Sequence, residues 1–130
     1  MIVVDASAML EVLLRTPASA AAEQRLFDPG ERVHAPHLLD VEVAQVVRRY
    51  ALTGQVDQER CRMALDDLAE FPLRRYPHDV LLQRVWELRN NLTAYDAVYV
   101  ALAEALDAPL VTRDQRLASA AGHHARISLV

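Results

Sequence analysis

The sequence contains no lysine, because all 14 of its basic residues are arginine. A P-loop needs a lysine after its glycines, and no Gly-rich GK[ST] segment is present, so phosphate binding of that kind is excluded. Mechanisms that use a lysine as a Schiff base or as a general base are excluded for the same reason. The absence of lysine therefore removes several common chemistries of α/β proteins.

Cysteine and long apolar runs are also scarce. Cys61 is the only cysteine, so neither a disulfide framework nor a cysteine-based zinc site is expected. Asp5 interrupts the N-terminal apolar run, which argues against a signal peptide, and no segment reaches the length of a membrane span. We therefore expect a soluble, cytoplasmic protein. Its net charge of −4 means that contact with nucleic acid must come from a local patch or through metal ions.

The sequence does contain a regular alternation of predicted strands and helices over its 130 residues. Short β-branched runs predict strands at "MIVVD", "RVHAP", "PLRRYP", "PLVT" and "RISLV". Amphipathic or apolar patterns predict intervening helices, among them residues 37–52, 78–92 and 94–106. Buried strands that alternate with helices indicate one α/β domain over residues 1–130, with a mostly parallel sheet covered on both faces. Trp86 and the tyrosines are interpreted as packing residues.

Acidic residues stand at the positions where such a fold collects ligands, which are the carboxyl ends of strands and the starts of helices. Asp5 ends the first predicted strand. Asp114 is separated from "PLV" by two residues, and Asp96 opens the apolar helix "AYDAVYVALAEAL". A carboxylate at the head of a buried helix is costly unless something pairs with it. These three residues are therefore candidate site residues.

The helix predicted over residues 37–52 carries a fourth acid on its apolar side. At 3.6 residues per turn, its apolar arc consists of Leu38, Leu39, Val43, Val46 and Val47. Glu42 points into this arc, whereas Asp40 lies at its edge. Glu42 therefore needs a partner, and it is the preferred candidate of the two.

Each acid taken alone has a simpler structural interpretation. Asp5 and Asp114 could cap the helices that follow them, Asp96 stands three residues after Thr93 as in a capping box, and Glu42 could pair with an arginine. One metal site would account for all four, because grouped carboxylates repel one another unless a cation neutralises them. Ligation by oxygen alone suits Mg²⁺ or Mn²⁺, and such ions can activate water against a phosphodiester.

Three segments, "MIVVDASAML", "HLLDVEVAQVV" and "TAYDAVYVALAEALDAPLVTRDQRLA", resemble a PIN domain, and more closely the VapC ribonuclease toxins of VapBC toxin–antitoxin pairs. The resemblance covers nearly the whole chain in order. It implies a three-layer α/β/α sandwich with a central, mostly parallel sheet, and an endoribonuclease that depends on Mg²⁺ or Mn²⁺. Carried over by motif, the catalytic metal ligands are Asp5, Glu42, Asp96 and Asp114. The matching small hydroxyl residues, beside the metal or its waters, are Ser7 and Thr112.

The resemblance also implies partners. These are a cognate VapB-type antitoxin whose C-terminal segment lies across the active site, a second copy of the chain in a homodimer, and an RNA substrate, with tRNA, rRNA and mRNA all open. Arg113 and Arg116 are candidate contacts to RNA phosphates, with a solvated helix face as the alternative. Two other functions stay open: a PIN-like protein- or RNA-binding module without catalytic turnover, and a DNA-directed PIN nuclease.

Overall fold

Five short strands form one parallel sheet in the computed structural model, which describes residues 1–130. The strands are β1 (Ile2–Val4), β2 (Val33–Pro36), β3 (Leu73–Tyr76), β4 (Leu110–Thr112) and β5 (Ile127–Leu129). Their order in the sheet is β3-β2-β1-β4-β5, and every neighbouring pair is parallel. The central strand β1 pairs through Val3 with His34 on one side and with Leu110 on the other. All five carboxyl ends therefore lie at the same edge of the sheet.

Seven α-helices connect the strands. They are α1 (Ala6–Leu13), α2 (Ala20–Leu26), α3 (Leu38–Thr53), α4 (Gln58–Glu70), α5 (Leu82–Glu87), α6 (Ala94–Leu106) and α7 (Gln115–Ser119), and a 3₁₀ turn (Asp79–Leu81) precedes α5. Helix α3 ends at Thr53, because Gly54 follows it with a φ of +71°, a left-handed conformation that glycine adopts without strain. No helix combines the length and the apolarity that a bilayer crossing requires.

The order of the strands determines which face each helix covers. The connections β1 to β2 and β2 to β3 move in one direction along the sheet, and the connection β3 to β4 returns across it. Because parallel crossovers are right-handed, the helices of these connections lie on opposite faces. Accordingly α1 packs on α2, α3 and α4, while α5 packs on α6, which contacts β1 and β2. The predicted α/β/α fold with a parallel central sheet is confirmed.

The central strands and helix α6 lie at the centre of the core, and α1 to α4 contribute buried side chains from one face of the sheet. Ile2, Val3 and Val4 of β1 are fully buried, as expected for a strand covered on both faces. In α6 every residue from Ala97 to Ala103 is buried, because the helix lies between the sheet and α5. The apolar helix predicted over residues 94–106 is thus confirmed as a core element. Its rigid packing holds the side chains of its first two turns at the carboxyl edge of the sheet.

The helix predicted over residues 78–92 is wrong in its extent. The chain forms the 3₁₀ turn and then only the six residues of α5, after which the N–H of Leu88 bonds to two preceding carbonyls. Asn90 and Asn91 follow, and asparagine favours turns over helix interiors. Trp86 is also not a packing residue: its side chain is 67% exposed, and the Arg89 guanidinium lies 4.3 Å from the centre of its ring.

Candidate active site at the carboxyl edge of the sheet

The four predicted acids come from four separate segments and meet at the carboxyl edge of the sheet. Asp5 follows β1, Asp114 stands at the start of α7 just after β4, Asp96 lies in the first turn of α6, and Glu42 lies near the start of α3. Strands β1 and β4 are neighbours from which the chain leaves in opposite directions along the sheet. Such a switch point is the usual ligand-binding position in open α/β sheets.

Asp5 is the most buried of the four acids, with 7% of its surface exposed. The Ser7 hydroxyl donates to Asp5 Oδ1 over 2.6 Å, the Thr112 hydroxyl donates to Oδ2, and the N–H of Ala8 donates to Oδ1 over 3.0 Å. Burial raises the pKa of Asp5, these hydrogen bonds oppose the rise, and the negative charge of Asp114 adds to it. The two hydroxyl residues singled out in the sequence thus both contact this carboxylate.

The same two hydroxyls also bind the backbone after β4. Ser7 Oγ accepts a hydrogen bond from the N–H of Arg113 over 2.9 Å, and Thr112 Oγ1 accepts one from the N–H of Asp114 over 2.9 Å. The two oxygens lie 3.3 Å apart. Ser7 and Thr112 therefore fix the Asp5 carboxylate relative to the segment that carries Asp114.

Glu42 receives a hydrogen bond from a residue that the sequence interpretation assigned to packing. The hydroxyl of Tyr99, on α6, donates to Glu42 Oε1 over 2.5 Å. Burial raises the pKa of Glu42, the bond from Tyr99 opposes the rise, and the charges of Asp5 and Asp96 add to it. Burial also raises the pKa of Tyr99, so its phenol remains a donor. The available signal was that Tyr99 follows Asp96 by three residues, which places both on one helix face.

Asp40, the alternative to Glu42, has a different partner. Its two carboxylate oxygens accept from the Arg75 guanidinium over 2.6 Å and 3.0 Å. Arg75 lies on β3, the edge strand of the sheet. Asp40 is therefore already neutralised in an ion pair, and the structure brings Glu42, not Asp40, towards the other acids.

Asp96 and Asp114 differ in their charge balance. Burial raises the pKa of Asp96, and the negative charge of Asp114 raises it further. The pKa of Asp114 is lowered instead, because the Arg116 guanidinium binds its Oδ2 over 3.0 Å and the Arg116 N–H binds its Oδ1 over 2.9 Å. Asp114 is thus the one acid of the four that has a cationic partner within the chain.

The two arginines predicted to contact phosphate both lie beside the acids, and both are paired. Arg116 binds Asp114, with 87% of its own side chain exposed. Arg113 Nη1 lies 3.1 Å from Glu11 Oε2 on α1. Each arginine is therefore positioned at the edge of the acid cluster, and each would have to exchange an intramolecular carboxylate for an external phosphate.

Helix capping, the simpler structural interpretation of the acids, is found at part of the site. Asp5 and Asp114 do cap α1 and α7, and the Thr93 hydroxyl caps α6 by accepting from the N–H of Asp96. Capping does not account for Glu42. As placed, no three acidic, histidine or cysteine side chains converge in an arrangement that could hold a metal ion by themselves. The acids lie near one another, and their negative charges add to the raised pKa values of Asp5, Glu42 and Asp96.

A groove runs from the acid cluster between α1 and α3. Its volume is about 680 Å³. At its acidic end lie Ser7 and Glu42, and its walls include apolar side chains such as Leu10, Val41 and Val46. A mixed groove of this kind can accept a chain that presents apolar side chains along its length and a cation at its end.

The family comparison agrees with this geometry. The PIN domain family model matches residues 2–123. The chain belongs to the PIN domain family. Ribonuclease VapC1 of Mycobacterium tuberculosis is 46% identical to this PIN domain over 129 residues, which are 98% of this chain and 96% of the relative. Ribonuclease VapC12 of the same organism is 44% identical over 130 residues, with 100% and 99% covered. The resemblance to VapC proteins is therefore confirmed.

Solved structures show the same fold. The protein PAE2754 of Pyrobaculum aerophilum is 27% identical to this PIN domain, with a TM-score of 0.70 and coverage of 97% of this chain and 81% of that chain. A chain from the structure of VapBC2 of Rickettsia felis, bound to a DNA fragment from its promoter, gives a TM-score of 0.73. That chain is 15% identical, with 99% of this chain and 98% of the other covered, so the likeness is one of fold.

Proposed function

We propose that this PIN domain is a metal-dependent endoribonuclease, the toxin of a toxin–antitoxin pair, which cuts RNA in the cytoplasm. One observation carries the proposal: carboxylates from four separate segments lie together at the carboxyl edge of the sheet. Burial and mutual repulsion raise the pKa values of three of them, Asp5, Glu42 and Asp96. Such a cluster is unfavourable without a cation, so we infer that its task is to bind one.

Mg²⁺ or Mn²⁺ fits the donors that are present. These donors are carboxylate oxygens, with the hydroxyls of Ser7 and Thr112 beside Asp5, and hard divalent ions prefer oxygen. Mg²⁺ commonly takes one or two carboxylates and completes its coordination with waters and substrate phosphate oxygens. This agrees with a cluster in which no three side chains enclose one point. When bound, the ion would lower the pKa of a water and stabilise the charge that develops on the phosphate.

The residues divide into those that bind the ion and those that orient the binding groups. The residues that would hold the ion are Asp5, Glu42, Asp96 and Asp114. Ser7 and Thr112 fix the Asp5 carboxylate through their hydrogen bonds. In the reaction, water attacks the phosphorus in line and the 3′-oxygen leaves. The products are then a 5′-phosphate and a 3′-hydroxyl.

Arg113 and Arg116 would contact the RNA backbone at the edge of the cluster. Electrostatic contacts to phosphates supply most of the affinity for nucleic acid. A substrate phosphate would replace Glu11 as the partner of Arg113 and Asp114 as the partner of Arg116. The second exchange would also release the Asp114 carboxylate for the ion.

The groove between α1 and α3 would seat a segment of a VapB-type antitoxin. Two observations support this assignment: apolar walls that include Leu10 and Val46 lead to the acids, and structural neighbours include a toxin–antitoxin complex from Klebsiella pneumoniae. An arginine of the bound segment would meet the carboxylates and block the site. We also propose a homodimer, for which the exposed apolar side chains Val80, Leu82 and Trp86 offer a candidate surface.

A binding module without catalytic turnover is the second candidate function, and one observation favours it. Asp5 and Asp114 accept main-chain N–H groups at the starts of α1 and α7, so both have a structural task that needs no metal. In that case the acids would serve the fold, and RNA or a protein partner would be bound but not cut.

Cleavage of total RNA by the purified, antitoxin-free protein distinguishes the two functions. The reaction is run with Mg²⁺, with Mn²⁺ and with a chelator, and the ends of the products are identified. We expect discrete cuts that require the metal and leave 5′-phosphate and 3′-hydroxyl ends. Cyclic 2′,3′-phosphate ends would exclude water as the nucleophile, and the absence of cuts by a folded protein would favour the binding module.

A further inference from the structure

We propose that Tyr99 is a positioning residue of the acid cluster, which holds the Glu42 carboxylate in the orientation that binds the divalent ion. The inference rests on the proposed function, because Tyr99 has this task only if Glu42 is a metal ligand. Tyr99 would then belong to the site although it is neither one of the acids nor one of the small hydroxyl residues. Tyr99 would act through Glu42 and would not touch the substrate.

The hydrogen bond between the two residues links separate elements of the fold. Tyr99 lies on α6 and Glu42 on α3, 57 positions apart in the chain, and the phenol oxygen is 2.5 Å from Glu42 Oε1. Tyr99 is 2% exposed and stands in the fully buried run from Ala97 to Ala103. Packing therefore fixes the ring, and the ring fixes the position of its hydroxyl. Glu42 is half-buried and lines the groove, so its own surroundings restrain it less.

A glutamate at this position needs such a restraint. Its side chain has several rotatable bonds and loses entropy when it is held in one rotamer. The negative charges of Asp5 and Asp96 also repel its carboxylate, which disfavours an orientation towards the cluster. A neutral donor to Oε1 counters both effects and leaves Oε2 for the ion. Partners of this kind orient metal ligands in many proteins.

A purely structural role for the same bond is the alternative explanation. A buried phenol needs an acceptor, and Glu42 could be present only to supply one. The ring itself fills space in the core, which phenylalanine would do as well. The two explanations differ in what the loss of the hydroxyl does to metal binding when the fold is intact.

The test measures Mn²⁺ binding to metal-free protein by calorimetry, for wild type, Tyr99→Phe and Tyr76→Phe. Tyr76→Phe is the matched control, because its hydroxyl lies 2.7 Å from His34 Nδ1, in a side-chain hydrogen bond away from the acids. We expect Tyr99→Phe to weaken Mn²⁺ binding by about tenfold or more, as is usual when the partner of a metal ligand is removed. Tyr76→Phe should bind Mn²⁺ like wild type. In a Glu42→Ala background, Tyr99→Phe should have no further effect.

Several results would overturn the inference. These are wild-type Mn²⁺ affinity in Tyr99→Phe, an equal loss in Tyr76→Phe, or a continuing effect of Tyr99→Phe in the Glu42→Ala background. If wild type itself binds no Mn²⁺, the metal site of the proposed function fails, and the inference fails with it. If Tyr99→Phe does not fold, Glu42→Asp replaces it, because the shorter side chain withdraws the carboxylate from Tyr99; unchanged Mn²⁺ affinity in that variant is contrary to the inference.

Discussion

Asp5 and Thr112 lie 107 residues apart in the chain, yet the Thr112 hydroxyl donates a hydrogen bond to the Asp5 carboxylate. The contact exists because β1 and β4 pair in parallel, with Val4 opposite Val111, so both strands end at the same level. Thr112 is fully buried, and its oxygen also accepts from the N–H of Asp114. One hydroxyl therefore ties two of the acids to one geometry.

Replacement of that hydroxyl by a methyl group should damage both stability and activity. In Thr112→Val the shape is kept, but the Asp5 carboxylate loses a donor and the N–H of Asp114 loses its acceptor. We expect a loss of about 1–3 kcal/mol in the free energy of unfolding and about 10- to 100-fold in RNA cleavage. Urea denaturation and a cleavage assay measure the two effects. Thr112→Ser keeps the hydroxyl and should stay close to wild type; equal damage in both variants would contradict this role.

The burial of Asp96 and its repulsion by Asp114 should appear as a dependence of stability on pH. The raised pKa of Asp96 means that the folded state favours the protonated form. The contribution of Asp96 to the stability of the folded state is complete below the ordinary pKa of 3.8. It is lost as the pH rises through the raised pKa that Asp96 has in the folded state. In chelator, Asp96→Asn should therefore gain stability relative to wild type as the pH rises towards 7. A difference in unfolding free energy that stays constant with pH would contradict the raised pKa of Asp96 in the folded state.

Mn²⁺ should neutralise the acid cluster and stabilise the wild-type protein, but not Asp96→Asn. A ligand at about 100 times its Kd stabilises the folded state by about 2.7 kcal/mol. We expect Mn²⁺ to raise the thermal midpoint of wild type at neutral pH and to leave that of Asp96→Asn nearly unchanged. Equal stabilisation of both proteins would show that the ion binds somewhere other than the acid cluster.

Removal of Arg116 should affect RNA binding more than folding. The Arg116 side chain is highly exposed, so we expect Arg116→Ala to have little effect on stability. If the guanidinium contacts a phosphate, the slope of log affinity against log salt should fall by about 0.7 for single-stranded RNA. Fluorescence anisotropy in chelator measures this slope. Arg126→Ala, which removes an exposed arginine paired with Asp107, is the matched control and should keep the wild-type slope.

His78 should stabilise the start of the helix that carries Glu42. Its Nε2 accepts from the N–H of Leu38 over 2.9 Å, which satisfies an otherwise free donor in the first turn of α3. We expect His78→Ala to lower the free energy of unfolding by about 1 kcal/mol, as for the loss of a helix cap. His37→Ala, at the neighbouring exposed histidine, should have a smaller effect in the same denaturation experiment. A free energy of unfolding that is unchanged in His78→Ala would contradict this role.

Much of the fold could be predicted because its signals are local. The β-branched run of β1, the apolar pattern of α6 and the glycine after α3 each depend on neighbouring residues. The extent of the helix predicted over residues 78–92 was wrong because that prediction also used only a local pattern. Periodicity of apolar residues shows neither where the helix ends nor which of its faces another element covers. Trp86 is exposed because no element of the chain packs over it.

The acids could be predicted as candidates because each stands at a strand end, at a helix start or on an apolar helix face. The spacing of Tyr99 from Asp96 places it on the same helix face, but its bond to Glu42 could not be predicted, since the two residues lie 57 positions apart and only the packing of the fold brings them together. The pairing of Asp40 with Arg75 was equally hidden, and it is this pairing that separates Asp40 from the cluster. Contacts between distant segments are the part that a single sequence does not reveal.

We propose that carboxylates at the carboxyl edge of the sheet bind the metal ion on which RNA cleavage depends. The most direct test compares Mn²⁺-dependent RNA cleavage by wild type, Asp96→Asn and Asp107→Asn. Asp107 is an exposed aspartate at the end of α6, in a left-handed conformation that asparagine also tolerates. We expect cleavage by wild type and by Asp107→Asn, and its loss in a folded Asp96→Asn. Cleavage by Asp96→Asn at the wild-type rate would contradict the proposal.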